Sequence, residues 1–221
     1  QVSILTNMPA PYRLPVFESL AEYVDLTVYF CRGHNTDRLW AADLESKKVH
    51  YELLSLRRLS ISEKFNVVWN PGFHKHLRHN PYDVYIAGEN FPTFPAMLCM
   101  LRAARTQQRP LIVWSEAIDT SYASGHFLSN TYRRWLYQQA DAFIAYGKRA
   151  RQYLVRRGAP PERITIGYQV IPSEQLPPPT IDKATLGLAG KTIVLYVGYF
   201  VARKGIDVLI QSFQRVANEN D

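Results

Sequence analysis

Short apolar runs rich in β-branched and aromatic residues recur along the chain: VSILTN from Val2, DLTVYF from Asp25, HYELLSL from His50, DVYIAGE from Asp83, PLIVWSE from Pro110, AFIAYG from Ala142, RITIGY from Arg163 and TIVLYVGYF from Thr192. Several are apolar at consecutive positions instead of alternating, the pattern of strands covered on both faces of a parallel sheet. Between them lie segments with helical spacing. Leu14, Phe17, Leu20 and Ala21 fall on one face, as do Trp135, Leu136, Gln139 and Ala140, and most clearly Ile206, Leu209, Ile210, Phe213, Val216 and Ala217. Strand and helix alternate throughout, which predicts an α/β fold on a doubly wound parallel sheet.

One break interrupts the alternation. QVIPSEQLPPPTIDKATLGLAG, from Gln169, is rich in proline and ends in two glycines, so it neither continues a helix nor enters a central strand. The spacing predicts a main domain over 1–172, a linker over 173–190, and the first βα unit of a second domain over 191–221. A lone strand and helix of ~30 residues does not hold itself together in water. The second domain is therefore expected to be incomplete.

Composition narrows the partners. Among 221 residues, 26 Lys and Arg face 19 Asp and Glu, a basic balance that favours anionic partners. Two cysteines, Cys31 and Cys99, supply no disulfide framework and no paired metal motif, and both read as buried packing residues in a reducing compartment. The opening QVSILTNMPAPYR carries no basic signal region, and no apolar run approaches the roughly 20 residues that span a bilayer. A cytoplasmic protein is the expectation.

Candidate chemistry sits where strands end. In VGYFVARKG, Gly198 closes a predicted strand, Tyr199 follows, and Arg203 and Lys204 stand at the start of a helix. Cations there oppose the helix dipole by roughly 0.3–1 kcal/mol, so an anion is one explanation and a plain solvated loop the other. In TNMPAPYRLPVFESL, Asn7 ends a strand and Arg13 lies in the first helical turn beside Tyr12. Those two side chains read equally as structural pairs or as ligand contacts. Gly88, Glu89 and Asn90 follow DVYIAG, and Glu116 follows LIVWS, each an ordinary turn or capping carboxylate unless it faces a ligand. All lie at the carboxyl edge of predicted strands, where open α/β sheets bind ligands.

These stretches resemble the glycosyltransferase group 1 family, also called family 4, retaining enzymes of the two-domain GT-B fold with Rossmann-like halves. TNMPAPYRLPVFESLAEYVDLTVYF resembles the family's opening strand and helix, and PLIVWSEAIDT its mid-domain strand and acceptor-side loop. ADAFIAYGKRARQYLVRRGAPPERITIGYQV resembles the end of the N-terminal domain, and VLYVGYFVARKGIDVLIQSF the start of the C-terminal one. The resemblance implies transfer of a sugar from a nucleotide-diphosphate-sugar donor to a glycan or lipid-linked acceptor in polysaccharide, lipopolysaccharide or glycolipid assembly. It implies no metal and no further cofactor, because basic residues stabilise the departing diphosphate.

Lys204 matches the lysine that contacts the donor diphosphate, with Arg203, Gly198 and Tyr199 beside it. The arginine that commonly follows the strand-end glycine is Tyr199 here, a departure that weakens leaving-group stabilisation unless Arg203 compensates. Glu116 stands where many members place a histidine. It is the candidate acceptor-side catalytic group, while Asn7, Tyr12, Arg13, Gly88, Glu89 and Asn90 are candidates for the acceptor side of the cleft. The paired-glutamate motif of the family is absent, so the chain alone is expected to be inactive.

His74, His76 and His79 in FHKHLRH lack metal-ligand spacing and read as a basic solvated helix. Arg133, Arg134, Lys148, Arg149, Arg151, Arg156 and Arg157 read as solvated faces, or as a surface that rests on anionic lipid. Nucleic-acid binding is not expected, since no recognition motif or stacking platform accompanies the charge. Two alternatives stay open: a non-catalytic assembly module that self-associates through 191–221, and a sugar-nucleotide epimerase of the GT-B fold.

Overall fold

The computed structural model describes residues 1–33, 44–62, 65–119, 127–168, 170 and 182–218. It divides into two compact units, Gln1–Gln175 and Leu176–Asp221. Every predicted apolar run but the last forms a strand in the first unit. These are β1 (Val2–Thr6), β2 (Leu26–Phe30), β3 (Val49–Leu53), then β6 (Val84–Gly88), β7 (Leu111–Ser115), β8 (Ala142–Ala145) and β9 (Ile164–Ile166). They pair in the order β3-β2-β1-β6-β7-β8-β9, and every neighbour is parallel.

Among the described residues five helices pack on this sheet: α1 (Leu14–Leu20), α2 (Phe73–His79), α3 (Phe94–Thr106), α4 (Phe127–Gln139) and α5 (Lys148–Arg156). Successive strand residues point to opposite faces. Ile4 therefore joins Phe17 of α1, Val28, Phe30 and Ile86 in one core layer. Leu5 and Tyr29 join Phe73, Met97, Leu136 and Tyr153 in the other. Burying each such side chain contributes about 1.5–3 kcal/mol, and apolar residues on both faces of a strand are what such a two-layered cover needs.

The chain runs outward through β2 and β3, then returns to place β6 on the other side of β1. Where strand order reverses, the loops leaving adjacent strands splay apart and open a crevice at the carboxyl edge.

Several expectations are corrected. An antiparallel hairpin, β4 (Arg57–Ser62) with β5 (Phe65–Trp69), stands apart from the main sheet where the pattern suggested no strands. On α4 the buried face is Ser129, Arg133, Leu136 and Tyr137, whereas Trp135 is 40% exposed. Arg133 is accordingly no part of a solvated face. Cys31 follows β2 and is fully buried, but Cys99 is only half-buried.

In the second unit, TIVLYVGYF forms no strand among the described residues. A strand closes its ladder only with a neighbour, and the described part of this unit offers none. Ala202–Lys204 makes a single 3-10 turn, Gly205 takes φ of 63°, and α6 (Ile206–Asn218) starts two residues after Lys204, which was expected to open it, with no residue buried. The proline-rich segment over 171–181 lies outside the described residues.

Candidate functional site

At the switch point a pocket of about 460 Å³ opens beside the ends of β1, β6 and β7. Its lining includes Asn7, Tyr12 and Arg13 after β1, Gly88, Glu89 and Asn90 at the end of β6, and Glu116 after β7. The seven first-unit residues named as cleft candidates thus line one pocket. They do so because parallel strands deliver their following loops to the same edge.

Arg13 is held on several sides. Its Nη1 donates to Thr6 Oγ1 at 2.6 Å, and its guanidinium carbon lies 5.7 Å from the Phe17 ring, 5.3 Å from Trp114 and 5.9 Å from Tyr146. The residue caps the start of α1, where Pro15 follows in the first turn. Burial pushes the Tyr146 hydroxyl up to about 12, against a smaller opposite effect from the Arg13 charge. Asn7 Oδ1 accepts from Arg32 Nε at 2.6 Å.

Glu89 is buried at 4% exposure, beneath the open part of the site. Ser115 Oγ and the Tyr137 hydroxyl donate to its two oxygens, and Arg133 Nε stands 4.0 Å from one of them. Burial raises the carboxyl above its ordinary value, and Arg133, Ser115 and Tyr137 each pull it back down. Arg133 itself donates to Ser129 Oγ at 2.8 Å. Asn90 is a turn residue whose carbonyl accepts from the Thr93 amide and hydroxyl. Glu116 is exposed at the rim.

Thr6, Trp114, Arg133 and Tyr146 also line the pocket and went unrecognised in the sequence. Arg133 had a legible signal: Ser129, Arg133 and Tyr137 recur every fourth residue, a polar stripe on the same side of α4 as Leu136 and Ala140. The donor-side candidates lie in the second unit. Lys204 is exposed at the end of its turn, the Tyr196 hydroxyl donates to the Tyr199 carbonyl at 3.0 Å, and a side chain at Gly198 would meet that hydroxyl at 2.6 Å. The Arg203 side chain lies outside the described residues.

The histidine-rich helix α2 is not merely solvated. His76 Nε2 is 2.8 Å from the Tyr29 hydroxyl and 3.4 Å from Glu52, a carboxylate the fold supplies from β3. Even so, no group of three potential ligands among the described residues is arranged to hold a metal ion. Of the basic cluster, Arg156 pairs with Asp119 and Arg157 lies over the Tyr153 ring, while Arg134, Lys148 and Arg149 are exposed. Among the described residues no helix is long and apolar enough to cross a membrane.

A seven-stranded parallel sheet with a pocket of mixed polar and apolar lining at its switch point defines an open α/β domain, a class that binds ligands at that edge. The family described as glycosyl transferase 4-like domain matches residues 9–168, and the chain belongs to it. Among solved structures, HepE from Anabaena in complex with UDP-glucose matches with a TM-score of 0.57 at 18% identity, over 86% of this chain and 50% of that one. HepE with UDP and glucose matches at 0.51 and 19%, over 76% and 44%. A UDP-N-acetylglucosamine 2-epimerase from Rickettsia bellii reaches only 0.48 at 14%, over 76% and 44%. The fold is of the GT-B type. No curated protein matches, and the chain spans about half the length of the solved relatives.

Proposed function

We propose that this protein belongs to a glycosyltransferase that moves a sugar from a nucleotide-diphosphate donor to a hydroxyl of a glycan or lipid-linked acceptor, with retention at the anomeric carbon. The supporting observation is the convergence of Asn7, Tyr12, Arg13, Gly88, Glu89, Asn90 and Glu116 on one switch-point pocket in a chain of this family. In this reading the first unit holds the acceptor, and Glu116 accepts a hydrogen bond from its reacting hydroxyl. Lys204 and Arg203, with Gly198 and Tyr199, meet the donor diphosphate.

The acceptor oxygen bonds to the anomeric carbon as the bond to the diphosphate oxygen breaks. The diphosphate leaves with the electron pair, and the hydroxyl proton passes to the departing phosphate oxygen. Positive charge placed where negative charge develops lowers that barrier without a metal. HepE binds UDP-glucose, so a UDP-sugar is the first donor to try.

The exposed Arg134, Lys148 and Arg149 suit a peripheral contact with anionic lipid. Two free cysteines suit the reducing cytoplasm, and the apolar face of α6 suits self-association.

The test is transfer from UDP-glucose by the gene product that contains this sequence, with the anomeric configuration of the product read by NMR. An α-linked product from the α-linked donor supports the reading. A β-linked product, or donor turnover indifferent to every acceptor, overturns it.

A further inference from the structure

Two arginines line the pocket, and the structure treats them differently. Arg133 is compensated: Glu89 lies 4.0 Å away and Ser129 accepts from it. Arg13 is half-buried, yet no described carboxylate lies within ion-pair distance of it. The oxygens it meets, Thr6 Oγ1 and the Tyr146 hydroxyl, are uncharged near neutral pH. Glu116 lines the same pocket without pairing to it.

A partly desolvated guanidinium is normally matched by an anion, because leaving it unmatched costs solvation that nothing returns. Contacts with the rings of Phe17, Trp114 and Tyr146 return part of that cost. They also hold the group still on the pocket wall with N–H donors to spare, since a guanidinium carries five. A cation held rigidly and left without a counter-ion is organised in advance for a carboxylate or phosphate.

We propose that the pocket takes an acceptor bearing an oxyanion and that Arg13 is the residue that selects for it. This rests on the acceptor-pocket reading above and adds the chemical class of the acceptor. The oxyanion has two sources, the carboxylate of an acidic sugar or the phosphate of a lipid-linked one, and matched probes separate them.

Trp114 supplies the readout, because its buried indole Nε1 has no hydrogen-bond partner among the described residues and its ring touches Arg13. The full chain is titrated with methyl glucuronide against methyl glucoside, with citronellyl phosphate against citronellol, and with UDP, following the Trp114 indole N–H resonance by NMR. The expected result is that one anionic probe acts at a concentration at least ~10-fold below its neutral match. That preference should be lost in Arg13→Gln and kept in part in Arg13→Lys.

Preference for the glucuronide identifies an acidic sugar, and preference for the phosphate a lipid-linked one. If Arg13→Gln fails to fold, the matched pairs on the unmodified chain still decide. Equal response to charged and neutral probes overturns the proposal while leaving the acceptor pocket standing. A preference that survives in Arg13→Gln, or a response to UDP alone, also overturns it. A resonance that no probe moves overturns the pocket reading together with it.

Discussion

Tyr137 of α4 donates its hydroxyl to Glu89 at the end of β6, across 48 residues of sequence. With Ser115 of β7 on the other oxygen, one buried carboxylate ties a helix to two adjacent strands directly under the candidate pocket. The shape of the floor therefore depends on the ionisation of a single side chain.

That dependence has a sign. Burial raises the Glu89 carboxyl above its ordinary 4.5, so the folded state favours the protonated form. The stabilisation this confers is complete below pH 4.5 and is lost as the pH rises through the higher folded value. Glu89→Gln cannot ionise and keeps the shape, at a fixed cost for the acceptor oxygen it loses. The melting temperature of the variant relative to the unmodified protein should therefore be more favourable at pH 8 than at pH 4.5. A difference that stays constant, or grows toward acid, would contradict the assignment.

Arg133 faces the same carboxylate and is itself 4% exposed. Removing one member of a buried charge pair leaves the other without compensation, at a cost on the order of 3–5 kcal/mol. Arg133→Met should lower the urea midpoint accordingly. A loss under about 1 kcal/mol would show that the hydroxyls of Ser115 and Tyr137 suffice to hold Glu89.

The main sheet was legible because strands buried on both faces are apolar at consecutive positions, as LTVYF and LIVWS are, and because helical spacing separates them. The site was legible in part for a related reason: polar residues directly after such runs must lie at one edge. Arg133 was missed despite its stripe with Ser129 and Tyr137, because an arginine in a helix reads as surface until Glu89 is brought beneath it by the fold. TIVLYVGYF shows the converse. Its residues have strand character, yet a strand is a property of a pair, and residues 191–201 have no partner strand among the described residues of their unit. The β4–β5 hairpin escaped because RRLSIS alternates weakly and offers no continuous apolar run.

Cys31 tests the packing behind the pocket. Burial pushes its thiol up to about 12, and the fold covers it completely. The thiolate is the reactive form, so Cys31 in the native protein should resist iodoacetamide at pH 8. Cys99, half-buried in α3, should be modified faster. Peptide mass spectrometry after timed alkylation gives both rates. Modification of Cys31 at the rate seen in urea would mean that the loop after β2 opens readily.

The second unit carries the least settled surface. Along α6, Val208, Ile210, Phe213 and Val216 are each more than half exposed, and so are Leu195, Val197 and Phe200 ahead of it. An apolar patch of this kind on a folded chain seeks a cover, and a second copy of the same segment is the cover always present in solution. Sedimentation should therefore show a dimer that grows with protein concentration. Phe213→Asp combined with Val197→Asp should shift it to monomer, with no change in the thermal unfolding of the first unit. If the unmodified chain stays monomeric at high concentration and proteases trim 191–221 first, self-association is ruled out, and the apolar face must be covered by something other than a second copy.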